Sequence, residues 1–131
     1  MSQASQAGNT SASILPKASP QVMSPAEYEV ALQKARESLH SVVAPQVNIA
    51  SISKMEEDVN KFVADIDSVA KSPVYKRRIA TQLKSDAQAE LSAVGESSED
   101  KQLDQLGLAN KKREKQYPFQ IATTALRQFE A

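Results

Sequence analysis

The sequence contains no cysteine and no tryptophan, and it has only one histidine and three glycines. The absence of cysteine excludes disulfides, thiolate metal sites and a cysteine nucleophile. His40 has no further ligands at metal-binding spacing, and the three glycines are too scattered to form a phosphate-binding loop. We therefore predict no catalytic, cofactor-binding or metal-binding residues, no cofactor and no enzymatic activity.

Long apolar runs are also missing. No stretch approaches the roughly 20 apolar residues that span a bilayer, and the first residues lack the apolar core of a secretory signal. We therefore expect no membrane span, and a cytoplasmic or virion-associated location. Residues 1–23 are rich in serine and free of acidic residues. That composition is typical of type III export signals, so export by that route is an alternative.

Neither sign of charge is in excess, since 16 basic residues balance 16 acidic residues. The neutral chain therefore has no overall field that draws it to nucleic acid or to an anionic membrane. Much of the 40% hydrophobic content is alanine, and bulky apolar residues are sparse. This composition favours slim helices over a thick core, so it indicates an all-α fold in which other helices or partners complete the burial.

The most regular apolar pattern lies between residues 51 and 94, where apolar residues recur at steps of three and four. This spacing is the heptad seam of helices that pack lengthwise on other helices. Ser72 and Pro73 fit the cap and first position of a second helix, so we predict helices over about 52–71 and 73–94. The seam residues are Ile52, Met55, Val59, Phe62, Ile66 and Val69 in the first helix, and Ile79, Leu83, Ala87, Leu91 and Val94 in the second.

The ends of these two helices also carry recognisable residues. Ser53 and Glu56 have the spacing of a capping box at the start of the first helix, and Gly95 fits the end of the second. Folded back on each other, the seams match in reverse order, which predicts an antiparallel helical hairpin. The alternative is one long helix kinked at Pro73, which leaves both seams open to partners.

A third helix is predicted to begin at Ser24. Ser24, Pro25 and Glu27 form a capping box with proline at the first helical position, and Pro45 limits the helix at its other end. Its seam contains Tyr28, Leu32, Ala35, Leu39 and Val42. Three seams of similar length predict a small, coiled-coil-like three-helix bundle over residues 24–94.

The segments on either side of this bundle are predicted to be simpler. Residues 1–23 are too polar to fold alone and are expected to form a flexible arm. Residues 95–118 are expected to be a charged linker with a short helix near 98–106, whose Leu103 and Leu106 point inward.

Residues 119–131 are expected to form a short amphipathic helix that begins after the break at Tyr117, Pro118 and Phe119. A helix of this length is marginal in isolation and needs a surface to dock on. The residues of this predicted docking helix are Phe119, Ala122, Leu126 and Phe129.

Two basic clusters are candidate contacts for an anion or an acidic partner. They consist of Lys76, Arg77 and Arg78, and of Lys111, Lys112, Arg113 and Lys115. Internal pairing is the favoured interpretation of both: in the hairpin Asp65 and Asp67 lie near the first cluster, and the acidic residues 96–104 precede the second. The alternative is binding to a phosphate backbone.

These features favour a non-enzymatic structural or assembly protein that docks through amphipathic helices and terminal arms into a larger complex, such as a phage virion or a secretion apparatus. The expected partners are copies of itself or other subunits of that assembly. Two alternatives remain: a small nucleic-acid-binding or regulatory protein that uses the basic clusters, and a secreted effector or translocator-like protein.

Overall fold

The computed structural model describes residues 22–45 and 51–130, and all regular structure in these ranges is helical. Within these ranges there are four α-helices, α1 to α4, and a 3-10 turn that covers Asp100–Gln102. The helices span Pro25–His40, Ser51–Val69, Pro73–Ser92 and Gln105–Glu130. The all-α prediction is therefore confirmed. None of the described helices combines the length and apolar character needed to cross a membrane.

The predicted start of α1 is confirmed in detail. The N–H of Ser24 donates to Glu27 Oε1 at 2.8 Å, and the N–H of Glu27 donates to Ser24 Oγ at 3.1 Å. Most of the predicted polar arm, residues 1–21, lies outside the described residues. Met23, the last residue of the predicted arm, is only 7% exposed and belongs to the core.

The turn between α2 and α3 matches the prediction, and the outer ends of these helices do not. Ser72 is extended and Pro73 occupies the first turn of α3. Helix α2 already begins at Ser51, so Ser53 lies inside it and the predicted capping box with Glu56 is wrong. Helix α3 ends at Ser92, before Gly95, which adopts a φ of 95° in the turn that follows. Glycine enters this left-handed region without the strain of a Cβ atom.

The predicted pairing of α2 with α3 is not the main contact of either helix. Helix α3 packs most extensively against α4, whereas α2 packs mainly against α1 and α4. Small residues of both helices lie in the core, since Ala80 on α3 and Ala122 and Ala125 on α4 are completely buried. Small side chains let two helix backbones approach closely, so the larger seam residues are shared among four helices instead of three.

The heptad positions nevertheless identify most of the core. The largest fully buried side chains are Phe62 and Ile66 on α2, Ile79 and Leu83 on α3, and Ile121 on α4. Leu32, Ala35, Leu39, Val59 and Ala87 are buried as well, and Tyr28, Val42, Met55 and Val69 are partly buried. Leu91 and Val94 are partly buried, outside the core cluster, and Ile52 is 73% exposed.

The C-terminal third of the chain differs most from the prediction. Helix α4 runs without interruption through Pro118, where a break was expected. The Asp104 side chain caps its start by accepting the N–H of Gly107 at 2.8 Å. The predicted linker helix near residues 98–106 is reduced to the 3-10 turn, and its leucines do not point inward, because Leu103 and Leu106 are 40% and 70% exposed.

A proline inside a helix costs about 3 kcal/mol, and the burial of neighbouring α4 residues offsets this cost. Tyr117, Ile121 and Leu126 are all buried against the other helices. Each buried side chain of this size contributes about 1.5–3 kcal/mol relative to an exposed one. Tertiary packing therefore outweighs the local preference that predicted a break.

Candidate protein-docking groove

The first basic cluster makes contacts within the chain. Lys76 Nζ lies 3.0 Å from Asp67 Oδ1, as the internal pairing predicted. Asp65, the other predicted partner, instead accepts hydrogen bonds from Ser38 and from Lys61. Ser38 and Lys61 hold the pKa of Asp65 below its usual value against the opposing effect of partial burial.

Arg78, in the same cluster, lies over aromatic rings. Its guanidinium carbon is 4.9 Å from the ring centre of Tyr28 and 5.6 Å from that of Tyr75. Such cation–π contacts attract the guanidinium to the ring faces. They join the N-terminal turns of α1 and α3, so Arg78 has a structural use in the bundle.

The second basic cluster lies on α4 and ties it to three other parts of the chain. Lys111 forms an ion pair with Asp100, and Lys115 Nζ lies 3.2 Å from Glu90 Oε1. Arg113 donates to the carbonyl oxygens of Pro45 and Ala44 at 3.0 and 3.5 Å. These contacts stabilise the loops around α4. Most residues of the cluster therefore contact other parts of the same chain.

Asp100 organises the turn before α4. Hydrogen bonds from Lys111 and from the N–H of Gly95 hold the pKa of its carboxyl below the usual value. Its own N–H donates to Ser97 Oγ at 3.0 Å. The acidic stretch predicted for residues 96–104 is therefore a closed turn built around one carboxylate.

Helices α2 and α4 are joined by a polar junction that sequence reasoning missed. Tyr117 donates its hydroxyl to Asp58, and Lys54 Nζ lies 2.6 Å from the same Asp58 oxygen. Burial raises the pKa of Asp58, but the hydrogen bonds from Lys54 and Tyr117 lower it by more. Burial and the Asp58 carboxylate raise the pKa of the Tyr117 hydroxyl. The contact was missed because a helix break was predicted at residues 117–119, where the structure has a continuous helix.

Next to this junction, α2 and α4 leave an open groove between them. It consists of two clefts, of about 520 and 240 Å³, that meet at Met55. This α2–α4 groove is lined by Ile52, Met55, Glu56, Val59 and Asn60 on α2 and by Phe119, Gln120, Thr123, Thr124, Arg127 and Gln128 on α4. Its α2 wall was predicted to be buried in the hairpin.

The two walls of the groove differ in chemistry. The α2 wall is mainly apolar, with Ile52 at its exposed end and Glu56 as its one charged residue. The α4 wall begins with Phe119 and continues with hydroxyl and amide side chains to Arg127. Protein-binding surfaces typically have an apolar centre with a polar rim. The groove has this composition, since its apolar area is bordered by hydrogen-bonding groups and by one charge of each sign.

The predicted docking helix is largely used inside the chain. Ala122 and Leu126 are buried in the bundle, and Phe129 is partly buried against it. Phe119 is half-buried and lines the α2–α4 groove. The surface available to a partner is therefore the neighbouring face of α4, with α2 beside it.

A second cleft, of about 130 Å³, lies between α1, α3 and α4. Its polar side chains face one another: Arg36 lies 3.4 Å from Asp86, and His40 Nε2 lies 3.7 Å from Glu90. In the part of the chain that the structure describes, no three histidine or carboxylate side chains gather where a metal ion could bind. Paired charges in a small cleft favour a structural role for these residues.

The α2–α4 groove is thus the candidate site, and its chemistry suits contact with another protein surface. Comparison of the chain with family models, with curated proteins and with solved structures finds no match.

Proposed function

We propose that this chain is a non-enzymatic structural or assembly protein that docks into a larger complex through the α2–α4 groove. The observation that carries the proposal is Ile52, a heptad residue that is 73% exposed at the edge of a groove lined by Met55 and Phe119. A contiguous apolar surface rimmed by polar groups is typical of protein interaction sites.

The distribution of charge supports this proposal over the nucleic-acid alternative. Most of the residues in the two basic clusters contact carboxylates, carbonyl oxygens or aromatic rings of the same chain. Binding to a phosphate backbone would compete with those contacts. The α2–α4 groove, in contrast, has side chains whose apolar surface is uncovered within the described residues.

The partners that we propose are copies of the chain or other subunits of an assembly such as a phage virion or a secretion apparatus. The test is capture of partners from the native source with the wild-type chain and with Ile52→Asp, which places a charge in the groove. Val74→Asp is the matched control, because Val74 is exposed on α3 and lies outside the groove.

We expect Ile52→Asp to lose the partner that the wild-type chain and Val74→Asp both retain. Circular dichroism should show the same helix content in all three proteins, because both substitutions are at exposed positions. Equal capture of the same component by all three proteins would contradict the proposed function.

A further inference from the structure

We propose that the occupant of the α2–α4 groove is the same groove of a second copy, so that two chains form a symmetric dimer. This inference rests on the proposed docking function of the groove and adds the identity of the partner. In such a dimer the two-fold axis runs along the groove, and α2 of each copy lies over α4 of the other.

The charges on the two walls are self-complementary in this arrangement. Glu56 is exposed on the α2 wall and Arg127 is exposed on the α4 wall. Glu56 lines the larger cleft and Arg127 lines the smaller one, and Met55 lines both. A two-fold axis along the groove exchanges the two walls, so the wall of each copy that carries Glu56 faces the wall of the other copy that carries Arg127.

The apolar residues fit the same arrangement. Ile52 and Met55 of one copy meet Phe119 and the methyl groups of Thr123 and Thr124 of the other. A two-fold interface repeats every contact, so one short groove supplies two sets of apolar contacts and two ion pairs. Because the net charge is zero, the two copies do not repel each other.

A foreign helix would need a basic group opposite Glu56 and an acidic group opposite Arg127. A second copy supplies a basic group and an acidic group on the walls that face Glu56 and Arg127. The groove of this chain therefore satisfies its own charge pattern, which is the reason for choosing a second copy as the occupant.

A charge swap tests the inference directly. Sedimentation of the pure full-length chain over a concentration series gives the dimerisation constant of the wild type, of Glu56→Arg, of Arg127→Glu and of the double variant. We expect each single variant to weaken dimerisation about tenfold, because each creates two like-charge contacts. The double variant should recover the wild-type constant, since the ion pairs re-form with reversed polarity.

Glu57→Arg is the matched control, since Glu57 is an exposed α2 residue that does not line the groove. It should leave dimerisation unchanged. A wild-type chain that stays monomeric at every concentration would overturn the inference, and so would a double variant that dimerises no better than the single variants.

These failures are distinguishable from failure of the proposed function. If the wild type is monomeric and Ile52→Asp still loses a partner from the native source, the groove binds a different protein and only this inference is wrong. If Ile52→Asp changes neither self-association nor partner capture, the docking function of the groove is wrong as well.

Discussion

Helix α4 contacts α3 on one side and α2 on the other, and the two contacts are built differently. Its contact with α3 is the most extensive between any two of the described helices, and Ala122 and Ala125 of α4 are completely buried. Towards α2 it contacts Asp58 through Tyr117, and the two helices leave the groove beside Met55. The α3–α4 contact is therefore the more extensive of the two, and the α2–α4 contact leaves an open groove.

The buried face of α2, which contains Phe62, should be more sensitive to truncation than the exposed face, which contains Ile52. Phe62 is completely buried, and we expect Phe62→Ala to lower the free energy of unfolding by about 3–5 kcal/mol through lost burial and the cavity left behind. Urea denaturation measures the loss. Ile52→Ala on the open side is the control, and we expect it to change the free energy of unfolding by less than about 0.5 kcal/mol in the monomer. Similar losses in both variants would show that the two sides of α2 are equally packed.

The close approach of α3 and α4 can be broken by adding volume. Ala122 has no exposed surface, so Ala122→Leu should strain the contact and lower the free energy of unfolding by about 1–3 kcal/mol. Ala89→Leu is the matched control, because Ala89 is exposed on α3. Thermal unfolding compares the two. If Ala122→Leu is as stable as the wild type, the α3–α4 contact can accommodate a larger side chain at this position without strain.

The polar junction between α2 and α4 should make stability depend on pH. The pKa of Asp58 is lower in the folded chain than in the unfolded chain, so its contribution is complete above the unfolded pKa of about 4. That contribution is lost as the pH falls through the lower folded pKa. Removing one hydrogen bond with Tyr117→Phe should lower the free energy of unfolding by about 1 kcal/mol at neutral pH.

When the pH is lowered, Tyr117→Phe should lose less stability than the wild type loses. Without the hydrogen bond from Tyr117, the folded pKa of Asp58 lies closer to its unfolded value. Thermal melts from neutral pH to about pH 2 measure both effects. Tyr28→Phe is the control, as its ring contacts Tyr75 and Arg78 without involving Asp58. Parallel pH profiles for the wild type and Tyr117→Phe would contradict this account of the junction.

Features that depend on neighbouring residues were predictable from the sequence. The capping box of Ser24 and Glu27 and the start of α3 at Pro73 both appear in the structure. The heptad steps also located Phe62 and Ile66 in the core. Each of these depends on a few adjacent side chains or on the period of a single helix.

Features that depend on which helices meet could not be predicted in the same way. Alanine gives little hydrophobic contrast in a sequence, so Ala80 and Ala122 did not mark the α3–α4 contact. Pro118 predicted a break because its local cost is evident, whereas the burial of Ile121 that offsets this cost depends on the finished bundle. The α2–α4 groove was missed for the same reason, since Ile52 has the spacing of a core residue.

The hydrogen bonds from Arg113 to the carbonyl oxygens of Ala44 and Pro45 have a consequence for the order of events during synthesis. A ribosome makes α4 after the other three helices, yet α4 holds the end of the first loop, covers the alanine face of α3 and supplies Tyr117 to Asp58. Until α4 emerges, the preceding helices have exposed apolar faces of the kind that chaperones bind. The bundle is therefore expected to gain its stability late and in one step.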